Sequence, residues 1–176
     1  MTHYAYRHIR TTGPSGPFEQ IIDYLIDVPL INASGSIPYI LRLYRYLSFL
    51  YISDIFPQEY ESDQRCFKRF TSHEGKAVDM WQLSVSGVRV FFETIAAADN
   101  DAVFVVSGSY QDGEEEKGQS RKLRIYRFAL RQLCAELNLR TVEMPEQNAF
   151  FLSTNDCRFS EQEIKQIYLN FKTTKQ

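Results

Sequence analysis

At 176 residues, with 44% hydrophobic and 14% aromatic content, the chain carries enough apolar side chain for one sizeable core. Its net charge of −2 argues against a surface that grips nucleic acid all over, and no run of about 18 uncharged apolar residues exists to span a bilayer. Three widely spaced cysteines, Cys66, Cys134 and Cys157, form no zinc-type pair, and the first residues lack a signal-peptide core, so a reduced cytoplasmic compartment is expected.

In chain order, Tyr4 to Arg10 alternates like a first strand, and Thr11 to Pro17 reads as a turn rich in Gly and Pro. Phe18, Ile21, Ile22 and Leu25 recur at helical spacing and predict a short helix ended by Pro29. Ser36 is placed to cap a second helix with Pro38 in its first turn, and Ile37, Ile40, Leu41, Tyr44, Leu47 and Tyr51 form its stripe. Together these two predict an N-terminal helical hairpin lying on a sheet. Residues Phe56 to Thr71 have no regular pattern.

Ala77 to Val85 and Val88 to Ile95 are rich in β-favouring residues around Ser86-Gly87, which predicts a tight β-hairpin. Ala102 to Val106 adds a third strand, making an antiparallel meander. Gln111 to Ser120 reads as a mobile polar loop. Arg121 to Leu137 predicts a helix with Leu123, Tyr126, Leu130, Leu133, Cys134 and Leu137 on one face and Arg124, Arg127 and Arg131 on its flank. From Arg121 to Arg140 six basic residues face one acid, Glu136, so charge is local and not global. Arg140 to Met144 and Ala149 to Ser153 predict two further strands. Ser160 and Glu163 have capping-box spacing ahead of a last helix with Ile164, Ile167, Tyr168 and Phe171 on its stripe.

The order strand, helical hairpin, three-strand meander, basic helix resembles the RelE/HigB-type toxins of bacterial toxin–antitoxin modules. So does the local text: Met80-Trp81-Gln82-Leu83, then Ser86-Gly87-Val88-Arg89-Val90-Phe91-Phe92, then Val105-Val106-Ser107-Gly108, and Ile125 to Arg131 with Ala129. The resemblance implies an α+β, microbial-RNase-like fold: an antiparallel sheet with the N-terminal helical hairpin on one face and C-terminal helices. It implies a single domain over residues 1–176, with a core over 1–137 and a strand–helix extension over 138–176.

The function implied is ribosome-dependent cleavage of messenger RNA, metal-independent and without cofactor, neutralised by a cognate antitoxin protein, with the ribosome and mRNA as further partners and no membrane. In such chemistry a base takes the 2′-hydroxyl proton, cations hold the phosphate, and an acid protonates the leaving oxygen. The resemblance makes Arg89 the phosphate-holding cation and Tyr110 an aromatic hydroxyl near the site. It makes Arg121, Lys122, Arg124 and Arg127 contacts to RNA. The chain departs from the family at Met80, Gln82 and Ser84, and again at Gln111 and Asp112, where active members carry basic residues.

Those departures and the acidic pI favour a second expectation: a non-catalytic protein–protein interaction module on an α+β scaffold. Trp81 belongs to the core or to a strand edge on that reading, and the arginine flank is a solvated helix face. His73 beside Glu74 is an acid/base pair only if a loop brings it to a site. No phosphate-cradling glycine loop, nucleophile elbow or paired metal-ligand motif is present, which removes the kinase, dinucleotide-binding and zinc-hydrolase classes.

Overall fold

The computed structural model describes residues 3–63, 77–107 and 121–174, with backbone alone at 121, 122, 125 and 129. Among them, seven strands form one sheet in the order β1-β2-β3-β4-β5-β7-β6. The first four run as an antiparallel meander: β1 (Tyr6–Thr12), β2 (Gln20–Pro29), β3 (Ser36–Tyr46) and β4 (Leu50–Pro57). Helix α1 (Met80–Phe91), prolonged by a π-helical turn at Phe92–Ala96, precedes β5 (Val103–Ser107), which lies parallel to β4. Helix α2 (Arg121–Leu137) leads to the edge strand β6 (Leu139–Met144), and β7 (Ala149–Thr154) returns between β6 and β5, antiparallel to both. Helix α3 (Glu161–Thr174) ends the described chain, and no described helix is long and apolar enough to cross a membrane.

The expected N-terminal helical hairpin is absent. Its two segments are β2 and β3, paired from Gln20↔Arg45 to Pro29↔Ser36, so Ser36 opens a strand and Pro38 faces Asp27. The physical reason is burial on two faces. Ile22, Tyr24, Ile26 and Val28 alternate toward one side of the sheet, while Leu25 and Asp23 are buried on the other, so the run shows spacings of two, three and four together. Among such runs β-branched and aromatic content decides, and Ile, Val and Tyr dominate here. Leu47 and Ser48 then turn the chain into β4 in the left-handed region (φ 48° and 60°).

The expected hairpin around Ser86-Gly87 is also absent, because that stretch is α1. Asp79 caps it, its Oδ1 accepting from the Gln82 N–H at 3.0 Å. Ser86 is no turn residue: its hydroxyl donates to the Gln82 carbonyl one turn back and accepts from the Tyr4 N–H. Every residue from Leu83 to Val88 is buried, which erases the polar face that marks a surface helix. The third strand of the expected meander exists as β5, but it pairs parallel with β4 and antiparallel with β7. The expected helix over 121–137, the two strands near 140–144 and 149–153, and the capping box stand: Glu163 accepts from the Ser160 N–H at 2.7 Å.

Among the described residues the apolar side chains gather in one large cluster on one side of the sheet and two on the other, the smaller around Leu25, Ile40 and Phe56. Tyr39, Leu41, Leu43, Phe104 and Val106 pack with Leu83, Val88 and Phe91 of α1 and with Tyr126, Leu130 and Leu133 of α2. On the opposite side, Ile52, Val105, Val142 and Phe151 pack with Ile164, Tyr168 and Phe171 of α3. On that same side a row of charges crosses β1, β2 and β3: Asp23, 1% exposed, accepts from Arg42 at 2.8 and 2.9 Å and from Arg10, and both arginines also reach Glu61. The guanidiniums satisfy a buried carboxylate that apolar neighbours alone would expel.

Candidate functional site: the outer face of helix α2

Helix α2 seats itself by the stripe Leu123, Tyr126, Leu130 and Leu133, all buried on the sheet. Burial, helped by the charge of Asp54, pushes the Tyr126 phenol pKa up, so this hydroxyl stays protonated. With that stripe fixed, 3.6-residue periodicity sends residues 124, 128 and 131 to solvent. Phe128 is 68% exposed, the most exposed large hydrophobic residue described. Its ring meets the edge of Trp81 from α1 at a centroid distance of 4.8 Å. Arg124 and Arg131 flank it, both exposed and neither ion-paired among the described residues.

The residues singled out from the sequence are distributed differently from expectation. Arg89 stands on α1, not beside a hairpin turn. Its side chain is 11% exposed, with Nη2 2.5 Å from Glu136 of α2, Nη1 3.9 Å from Glu93, and a buried Nε without an acceptor among the described residues. Both carboxylates come from the helix pair itself, Glu93 from the turn that prolongs α1 and Glu136 from α2. Arg127 is clamped by Glu143 of β6, Nε at 3.1 Å and Nη2 at 2.6 Å. Arg124 is solvent-facing and has no ion-pair partner among the described residues. Arg121 and Lys122 open α2, though their side chains are outside the description; Tyr110, Gln111, Asp112, His73 and Glu74 lie outside the described residues altogether. The structure therefore gathers Arg124 and Arg127 on one helix and separates Arg89 from them.

Phe128 and its contact with Trp81 were missed. The signal was present: within a stripe of Leu123, Tyr126, Leu130, Leu133 and Leu137, Phe128 is the aromatic residue that falls on the polar side of the wheel. Trp81, read as a core or strand-edge residue, packs partly buried against the α1–α2 core and also props the exposed ring.

The chemistry of this surface is that of contact. Burial pushes the Cys134 thiol up to about 11, which keeps it protonated and poorly nucleophilic. Among the described residues no group of three His, Cys, Asp or Glu side chains is disposed to hold a metal ion. An aromatic pair flanked by uncompensated guanidiniums has the composition of a binding hot spot. Compared with protein-family models, curated proteins and solved structures, the chain matches none.

Proposed function

We propose that this chain is a non-catalytic interaction domain whose outer α2 face binds an acidic, amphipathic segment of a partner protein. The observation that supports it is Phe128, 68% exposed, seated on Trp81 between Arg124 and Arg131, which have no ion-pair partner among the described residues. With two thirds of the ring in water, roughly 1–2 kcal/mol of burial is forgone, and a partner that covers it recovers up to that amount. Charge selects the partner: the arginines attract carboxylates, while the net charge of −2 opposes the long-range field of a polyanion.

A peptide-display selection on the purified chain tests this. Random dodecapeptides are expected to converge on Asp or Glu next to Leu, Phe or Trp, and the enriched peptides are expected to lose binding to the Phe128→Ala variant. Convergence on apolar residues without acids, or equal capture by Phe128→Ala, would contradict it. So would tight binding of a single-stranded RNA oligonucleotide that weakens steeply with salt.

A further inference from the structure

A cleft of about 400 Å³ runs between α2 and the edge strand β6, on the opposite flank of α2 from α1. Periodicity builds it: Arg127, Arg131, Cys134 and Asn138 recur every three or four residues along one side of the helix, and Thr141 and Glu143 alternate toward it from the strand. Phe150 of β7 and Leu139 supply apolar surface. The volume lies within the roughly 300–1,000 Å³ usual for small-molecule sites. Glu143 is neutralised by its two contacts with Arg127, so among the described residues Arg131 leaves the cleft with one uncompensated positive charge.

The cleft also has a direction. Helix α2 ends at Leu137, with Asn138 in the left-handed region (φ 52°), so the partial negative charge of the helix terminus lies at that end. The guanidiniums of Arg127 and Arg131 stand two to three turns earlier. An anionic head is favoured beside Arg131 and disfavoured beside Asn138, where Leu139 and Cys134 suit a hydrocarbon.

We propose that this cleft binds a small amphipathic monoanion, a carboxylate or sulfonate carrying a short alkyl or aryl body, with its head at Arg131 and its body along Cys134, Leu139 and Phe150. This site shares Arg131 with the outer face of α2 but lies on the β6 side of it, away from Phe128 and Trp81.

The test uses the full chain and the fluorescent aryl sulfonate 1-anilinonaphthalene-8-sulfonate as probe, displaced by octanoate, octylammonium or octanol. Octanoate is expected to displace it at about a tenfold lower concentration than the other two, the value of one charge-assisted hydrogen bond. Arg131→Gln is expected to erase that preference, and Thr141→Phe, which fills the cleft, to abolish binding while circular dichroism stays native. Equal competition by all three amphiphiles, an unchanged preference in Arg131→Gln, or no displaceable probe would overturn the assignment. Displacement that survives Thr141→Phe and disappears in Phe128→Ala would also overturn it, by placing the probe on the outer face.

Discussion

Arg89 of α1 and Glu136 of α2 meet Nη2 to Oε1 at 2.5 Å, the cation 11% exposed and the carboxylate 39%. Desolvation pushes the Glu136 carboxyl up, but the hydrogen bond and charge of Arg89 outweigh it and hold it below the usual carboxylate range. The pair clamps two helices that share one side of the sheet, and its asymmetry of burial makes a prediction. Glu136→Ala leaves an enclosed guanidinium with only the distant Glu93, whereas Arg89→Met keeps the aliphatic stem and leaves a carboxylate that water can solvate. The melting temperature of Glu136→Ala is expected to fall below that of Arg89→Met. The reverse order would show that Arg89 is free and poised for another role.

Gly87 separates the helix from the hairpin expected of the same residues. In α1 a Cβ at this position meets Ile55 Cδ1 and Leu41 Cδ1 at 3.7 Å, ordinary contact, and the backbone is helical. Gly87→Ala is therefore expected to stabilise the fold by about 0.5–1 kcal/mol in urea denaturation, through helix propensity and the smaller entropy of the unfolded chain. A glycine at a tight turn with positive φ would give destabilisation.

Asp23 ties three strands through Arg42 and Arg10. Desolvation raises its pKa, but the hydrogen bonds from Arg42 and then Arg10 outweigh it, so the folded value lies below the ordinary one. A carboxyl depressed on folding stabilises the protein above its unfolded pKa of about 3.9 and loses that contribution as pH falls through the folded value. The denaturation midpoint of the wild type is expected to drop more between about pH 5 and pH 2 than that of Asp23→Asn. At pH 7 Asp23→Asn is expected to cost about 3 kcal/mol, the penalty for unpairing a largely buried ion pair. Parallel pH profiles for the two proteins would remove the network from the stability account.

Helix α3 is held by its cap and its apolar stripe. The Ser160 hydroxyl and N–H both engage Glu163, and Ile164 is fully buried against the sheet. Ser160→Ala is expected to cost about 1 kcal/mol and Ile164→Ala about 3 kcal/mol in equilibrium unfolding. Near-zero values for both would show that α3 is not docked in solution.

Legibility in the sequence tracked how each element is solvated. Helix α2 and helix α3 keep one wet face, so Leu123, Tyr126, Leu130 and Leu133, and likewise Ile164, Tyr168 and Phe171, stand out at helical spacing and were read correctly. Strands β6 and β7 are short runs on either side of the turn at Pro145–Gln147. Strands β2 and β3 and helix α1 are buried on both sides, and periodicity carries no information where no side is polar. Ser84 and Ser86 deepened the error, since their helical role depends on carbonyls one turn back, which no composition shows. The site was half legible: the arginines of α2 were named, but the sealing of Arg89 and Arg127 by Glu136 and Glu143 depends on contacts between elements.

The outer face of α2 is tested most directly by calorimetric titration of one enriched acidic peptide into the wild type, Phe128→Ala and the double variant Arg124→Gln/Arg131→Gln. Truncating a hot-spot aromatic is expected to weaken binding at least about thirtyfold, by the usual 2 kcal/mol or more. Removing both cations is expected to weaken it further at low salt than at high salt, because screening already removes part of their attraction. Affinities equal across the three proteins, or unaffected by salt in the wild type, would contradict the assignment of this face as the partner-binding surface.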